Sequence, residues 1–400
     1  MLQMGIILTI VYTVYIDQAF TNIPGFSIAV FSAMCILLLF YHFKLRLQGG
    51  LLKELSYESK AYLVFYAIIF IPGLIISPDL GSYLHSFIKG IQYAVLFISV
   101  YYVVINKKNF DFIFKLLGIT ILAYAITAYF NGTIESGTGR LLVSERGNPN
   151  DMAVLMYFGF VIIAYLWNKG LIYKVLSIVY IPLAFSNIAL SGSRKGFLGV
   201  ALFIILFFIS SYLPSLSRKN LAKVVTSLII IFSLAFVIYN WVVPMYSDSI
   251  LFERLFQSYS NDESAINRLE MYRQAFDLFK EYPLFGVGFD NYKYFSTFGV
   301  FSHSTYAEVL SCTGIIGTVI YFSIYVSIVC KLLKLYIAKF KQKLPINVEG
   351  ILLSFFIVDL FLAAVRIDLY DPVIYVFLAC MAGYYDINKG KFSLKNKMVI

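Results

Sequence analysis

Apolar residues run along this chain in long unbroken stretches, parted by short polar breaks. A helix that crosses a bilayer needs about 20 mostly apolar residues. On that measure the chain predicts helices over roughly 2–16, 26–43, 61–78, 83–105, 110–130, 151–167, 171–190, 196–213, 221–243, 304–330, 348–366 and 371–386. The first is short and ends at Asp17, so eleven spans stand as the alternative to twelve. Strands of a membrane barrel alternate and give no such runs. The expected fold is therefore an all-α, polytopic integral membrane protein. No internal repeat is visible, so residues 1–400 read as one membrane domain. A long loop, 244–303, is inserted between the ninth and tenth spans.

Composition narrows the class further. The chain is 60% hydrophobic and 14% charged, with a mean hydropathy of +0.80. Average soluble domains are about 45–50% apolar and about 25% charged, so a soluble enzyme and a disordered chain are both excluded. No basic stretch precedes Met4 and no small-residue cleavage site follows, so no cleaved signal peptide is expected. Cys35, Cys312, Cys330 and Cys380 sit in apolar runs without metal-ligand spacing. They read as small core residues.

The net charge of +10 changes meaning in a membrane protein. Cytoplasmic loops are enriched in Lys and Arg, so nucleic acid is not the expected partner. With the N-terminus inside, the cytoplasmic pieces are 44–60, 106–109, 168–170, 214–220, 331–347 and 387–400. With their adjoining helix ends they hold most of the lysines, Lys331, Lys334, Lys339, Lys341 and Lys343 among them. The opposite side receives 131–150, the 191–195 corner, 244–303 and the turn 367–370. Of nine arginines only Arg46 and Arg218 face the cytoplasm. Arg140, Arg146, Arg194, Arg254, Arg268, Arg273 and Arg366 fall outside or at outer helix ends. The planar guanidinium fork suits phosphate and carboxylate; the competing reading is snorkelling to lipid headgroups.

The 244–303 loop carries its own signals. Asp262 or Ser264 fits an N-cap. Ile266, Leu269, Tyr272, Phe276 and Phe279 follow at helical spacing, and Pro283 ends the pattern. Such a helix would lie on the membrane or cap the bundle. Arg268 and Tyr272 share a face, while Arg273 points elsewhere. Gly286 and Gly288, before Asp290, predict a tight turn with positive φ. His303 stands at the mouth of the next span, where an imidazole could take or give a proton. Glu308 lies about one turn further in, where an ionisable group is costly and a functional candidate.

Other polar constellations fall on the same side. Asp359 and Arg366 are seven apart and predicted on one helix face; His85 and Lys89 are four apart. Each pair reads equally as an ion pair or as a cavity lining. Ser191-Gly192-Ser193-Arg194-Lys195-Gly196 joins two spans through small residues, and its amides with Arg194 would suit an anion. Asn148-Pro149-Asn150-Asp151 opens another span with Asn150 as the expected N-cap; a helix N-terminus there favours negative ligands.

The order of these motifs resembles a known group. Gly147-Asn148-Pro149-Asn150 precedes a span, and Ser191-Gly192-Ser193-Arg194 joins two later ones. The loop then carries Arg268-Leu269-Glu270-Met271-Tyr272-Arg273 and Tyr282-Pro283-Leu284-Phe285-Gly286-Val287-Gly288. His303-Ser304-Thr305-Tyr306-Ala307-Glu308 and Gly314-Ile315-Ile316-Gly317 close the series. Over roughly residues 140–320 this is similar to the O-antigen ligase and O-antigen polymerase superfamily of bacterial envelope glycosyltransferases. The resemblance implies a GT-C-like membrane enzyme. It would use glycans on undecaprenyl diphosphate at the outer face of the cytoplasmic membrane, with no cofactor beyond that lipid carrier. Carried over residue by residue, it makes Arg194, Arg268 and His303 the catalytic candidates. Ser304 stands where the family commonly has Asn, and Tyr272 where it often has Trp.

Around those three, Arg140, Arg146, Asn150, Ser193, Tyr272, Arg273, Asp290, Glu308 and Arg366 are the candidates for holding substrate. Fixed cations would stabilise charge on a departing diphosphate without a metal, and a neutral His303 would activate a sugar hydroxyl. The leading expectation is a polymerase of the Wzy type for O-antigen, capsule or exopolysaccharide. A ligase that moves the finished glycan to lipid A-core or another terminal acceptor shares these motifs. A flippase for lipid-linked sugars is disfavoured, because transporters place their sites near the midplane between related halves. A structural scaffold is the remaining class. A chain-length regulator and a flippase are the expected protein partners.

Overall fold

The computed structural model describes residues 2–16, 55–107, 109–136, 138–143, 148–212 and 263–393, and a few positions between 29 and 40. The expected spans 26–43 (for the most part) and 221–243, residues 244–262 of the long loop with the candidate cap Asp262, and Arg46, Arg146, Arg218 and Arg254 lie outside the described residues.

Helices and short turns make up almost all of what is described. In chain order they are α1 (Leu2–Val11, extended by a π turn Tyr12–Ile16), α2 (Tyr57–Ile76), α3 (Leu80–Lys107) and α4 (Phe110–Asn131). A two-stranded antiparallel hairpin follows, β1 (Thr133–Ile134) with β2 (Leu141–Leu142). Then come α5 (Pro149–Leu166), α6 (Leu171–Ser191), α7 (Arg194–Tyr212), α8 (Glu263–Glu281), α9 (Tyr292–Phe295), α10 (Thr305–Lys341), α11 (Asn347–Leu362) and α12 (Pro372–Ser393). Among the described residues, seven helices are long and apolar enough to cross a membrane: α2 to α7 and α10.

The helices divide by what surrounds them. On α12 every residue from Val373 to Ala382 is buried, and α5 is buried from Met152 to Ile162. Aromatic stacking joins them to α11: Phe355 and Phe377 lie 4.5 Å apart, and Phe158 packs on both. The outer helices turn apolar residues away from the bundle, such as Ile75 on α2, Ile172 and Ile178 on α6 and Val319 on α10. A helix apolar on all sides belongs in a core or a bilayer, and these outward faces match the bilayer.

Besides α12, which runs on to Ser393, three departures from the expectation involve polar residues. α10 runs to Lys341, about three turns past the end of its apolar run, because Lys331 folds back onto the buried Glu58 at 2.7 Å and Lys339 onto the buried Glu349 at 2.6 Å. α11 stops at Leu362, so Asp359 and Arg366 do not share a helix face; the chain turns at Ala363 and brings Arg366 back to Asp359. The first turn of α5 is capped by Asn148, whose side chain accepts the Asn150 amide, with Pro149 at the first helical position. Asn150 is therefore inside the helix, and Pro149 fits there because its missing N–H would be unpaired anyway. Cys312 and Cys380 are buried as expected, but Cys330 is exposed.

Candidate active site

The charged residues singled out in the sequence gather at one end of the bundle. This end carries the β-hairpin, the α6–α7 corner, α8 and the start of α10; the lysine-rich turns occupy the other.

The α6–α7 corner is built by small residues. Gly192 caps α6 in the left-handed conformation at φ 61°. A Cβ on Gly196 would stand 2.6 Å from that of Ala153, so α7 meets α5 backbone to side chain. Ser191 and Ser193 are buried, and the Ser193 amide donates to the Ser191 hydroxyl. Arg140 reaches over from the hairpin: its Nε donates to the Ser191 carbonyl at 2.6 Å and its Nη2 to Asn150 Oδ1 at 3.0 Å. Arg140, Asn150 and Ser193 thus hold the corner together. The close packing sets Lys195, rather than its neighbour Arg194, into a cavity.

That cavity has a volume of about 240 Å³. Its charged and titratable lining is Lys195, His303, Asp151, Arg366, Asp371 and the hydroxyls of Tyr93 and Tyr370. Lys195 donates to the Val365 carbonyl. Its ammonium interacts with Arg268, Asp151, Arg366 and Arg140. Lys195 is the functional candidate that the sequence reading missed. It stands in the 191–195 corner assigned to the outer side, where the arginines alone are singled out for an anion. The sign available was its position within that outer corner.

His303 occupies a loop just before α10. Its φ is 59°, rare for a residue with a Cβ. Such backbones persist only where their surroundings over-determine them, and they cluster at functional sites. The imidazole is half-buried, with Phe301 edge-on at 4.8 Å. Burial, with the cations Lys195 and Arg268 adding to it, lowers its pKa to about 4. At neutral pH it is an uncharged base. Arg268 acts on both His303 and Lys195 from α8, and Tyr272 one turn on donates to the Ala364 carbonyl at 3.0 Å.

The other candidates are placed elsewhere or already engaged. Arg366 is 5% exposed and surrounded by Asp359 and Asp368, each at 3.3 Å, and by Asp371. Three carboxylates hold its single charge, so it organises the loop after α11 and is not spare for an anion. The carboxyl of Asp368 is pushed up to about 6 by burial, with Arg366 opposing and Asp371 adding. Arg273 is 74% exposed on α8 and pairs with Glu270 and Asp277, away from the cavity. Asp290 accepts from Ser86 and pairs with Lys293, both at 2.6 Å. Glu308 is fully buried behind the cavity wall. His85 is exposed.

α8 docks by a different face from the one expected. Met271, Ala275 and Leu278 are buried against α10, whereas Ile266, Leu269 and Phe276 are exposed. The helix begins at Glu263, so Ser264 lies in its first turn and not at its cap.

No curated protein matches the chain. Residues 179–322 match the family described as O-antigen ligase. The matched segment runs from the second half of α6 into α10. It contains the Ser191–Gly196 corner with Lys195, the Arg268 helix and the His303 loop, and it supports the placement of this chain in the O-antigen ligase and polymerase superfamily.

Proposed function

We propose that the protein is a polysaccharide polymerase. It transfers a growing glycan from undecaprenyl diphosphate to the next lipid-linked repeat unit, at the extracytoplasmic face of the cytoplasmic membrane. The observation that carries this reading is the meeting of an uncharged His303 with Lys195 in one cavity, with Arg268 close enough to act on both. The acceptor hydroxyl oxygen attacks the anomeric carbon. Its proton passes to the His303 imidazole, and the bond from that carbon to the diphosphate oxygen breaks. The electron pair leaves with the diphosphate, whose new charge meets Lys195 and Arg268. Preorganised charge of this kind is commonly the largest contribution to a rate, and here it requires no metal. Attack opposite the diphosphate inverts the anomeric centre. Of the sequence candidates, His303 and Arg268 keep their roles in this scheme, and Lys195 joins them. Arg140, Asn150, Ser193, Tyr272 and Arg366 shape the site.

The glycan ladder of a deletion strain tests the reading. Loss of long chains, with single repeat units still reaching the terminal acceptor, supports a polymerase. Full-length chains stranded on the lipid carrier would instead make it a ligase. His303→Ala and Arg268→Ala should reproduce the deletion with the protein still in the membrane; an unchanged ladder in both would leave only a scaffold role.

A further inference from the structure

Glu308 is a buried carboxylate that the scheme above does not use. It is 0% exposed and takes no part in lining the cavity. Every polar group on it is a donor. Oε2 accepts the Ser302 backbone amide at 2.8 Å. Oε1 accepts the Tyr370 hydroxyl at 2.8 Å and faces the Cys312 thiol at 3.7 Å. Ser302 adjoins His303, and Tyr370 lines the cavity that His303 faces.

The loop is fixed at its other end as well. Thr305 donates its amide to the Ala363 and Arg366 carbonyls and its hydroxyl to Arg366, and it accepts the Asp368 amide. Between these anchors lies a residue whose φ of 59° an L side chain rarely adopts. Free of its anchors, such a residue would relax to negative φ and swing its ring out of the cavity.

We propose that Glu308 is a positioning residue for His303: by accepting the Ser302 amide and the Tyr370 hydroxyl it holds the left-handed turn and aims the imidazole into the cavity. The claim rests on the reading of His303 as the base that accepts the hydroxyl proton. It assigns Glu308 reach, not charge. Glu308→Gln keeps the chain length and one carbonyl acceptor for Ser302, and its amide can donate to the Tyr370 oxygen. Glu308→Asp keeps the charge but withdraws its oxygens by about 1.5 Å, one carbon–carbon bond.

The substrate for the assay is the lipid-linked oligosaccharide extracted from cells lacking the protein, converted by protein in vesicles. Glu308→Asp should lower turnover on the order of 100-fold, as misplacement of a reacting group by about 1 Å does. KM should stay within about threefold, because no contact with substrate is removed. Glu308→Gln should recover most of the loss. The opposite order, Asp active and Gln inactive, would overturn the proposal in favour of a charge role.

A second measurement does not depend on the activity. Diethyl pyrocarbonate acylates neutral imidazole, and peptide mass spectrometry separates His303 from His42 and His85. The groups facing His303 are Lys195 from α7, Arg268 from α8, Asp151 from α5, and Arg366, Tyr370 and Asp371 from the loop after α11. With these unchanged, the His303 titration should midpoint near 4 in the parent and in Glu308→Gln. It should move up toward the unperturbed value of about 6.5 in Glu308→Asp as the ring leaves its buried place. An unmoved titration in Glu308→Asp would overturn the proposal. If that variant does not reach the membrane, Tyr370→Phe is titrated instead; a midpoint still near 4 has the same force. Failure of the parent to convert the extract would count against the transferase reading alone, since the titration still decides about Glu308.

Discussion

In the proposed mechanism, Lys195 and His303 divide two tasks that one residue type could not perform in this cavity. A proton acceptor must be uncharged, and the burial that lowers the His303 pKa to about 4 ensures it. A group that receives a departing diphosphate must be charged, and in the proposed scheme that group is the Lys195 ammonium, which shares the cavity with His303 and Asp151. Lys195→Met separates the two effects by pH. Removing a neighbouring cation raises the His303 pKa, so His303 gains a proton at a higher pH than in the parent. Burial, the larger cause, remains, so the rise is partial. At pH 7 the imidazole is neutral in both proteins. A loss of turnover at pH 7, expected on the order of 100-fold for one missing preorganised charge, therefore belongs to the leaving group and not to the base. The acid limb of the rate profile, near 4 in the parent, should move upward in the variant. An unchanged rate at pH 7 would remove Lys195 from the chemistry.

At the scale of elements, the decisive join is where α10 breaks. Gly314 has φ 60° and ψ −168° inside the helix, which releases groups of two neighbouring turns from their helical partners. The Pro283–Gly288 segment takes them up. Val287 and Gly288 donate to the Ser311 and Cys312 carbonyls, and Ile315 and Ile316 donate to the Pro283 and Leu284 carbonyls. Irregular backbone at such depth survives only when protein satisfies it. Gly286 and Gly314 permit the approach: a Cβ on either would lie 2.4 Å from the facing backbone. Gly314→Ala should destabilise the fold by several kcal/mol or more, combining backbone strain of about 1–3 kcal/mol with a clash that cannot relax without breaking four hydrogen bonds. Gly390→Ala is the control, because nothing lies within 4 Å of its Cβ position. Thermal unfolding in detergent, followed by size-exclusion fluorescence, would compare them, and equal midpoints would discount the join. The sequence announced the positive φ of Gly286 and Gly288 through their spacing, and the spans through their apolar length. It could not announce that α10 lends its hydrogen bonds to the loop, nor that Ala363, Ala364 and Val365 leave α11 to offer their carbonyls to Thr305, Tyr272 and Lys195, because hydropathy records apolarity and not pairing. The same limit hid Lys195 and gave Arg366 a ligand it has no charge to spare for.

At the scale of the molecule, the charges discussed above are sorted by end among the described residues, and that sorting makes the orientation testable. Lys107, Lys169, Lys174, Lys334, Lys341, Lys343 and Lys391 stand at or near one set of helix ends, whereas Arg140, Lys195, Arg268 and His303 stand at the other. Two members of the lysine-rich end, Lys331 and Lys339, are bound to the buried Glu58 and Glu349. Breaking a buried pair strands a charge and costs about 3–5 kcal/mol, so those two lysines contribute to the bundle as well as to orientation. On the positive-inside rule the lysine end is expected in the cytoplasm and the cavity outside, where the proposed function needs a lipid-linked glycan to be presented. Single cysteines in a cysteine-free background can locate both ends. Ser136→Cys lies in the exposed turn of the β-hairpin, and Lys341→Cys at the exposed end of α10. In right-side-out vesicles, a membrane-impermeant maleimide should label the first directly and the second only after permeabilisation. Restoration of the glycan ladder by each variant shows that the labelled protein is the working one. The reverse pattern would put His303, Arg268 and Lys195 in the cytoplasm and end the extracytoplasmic reading, while leaving the helix packing and the cavity as they are. Labelling at neither site before permeabilisation would remove the hairpin end from the outer surface.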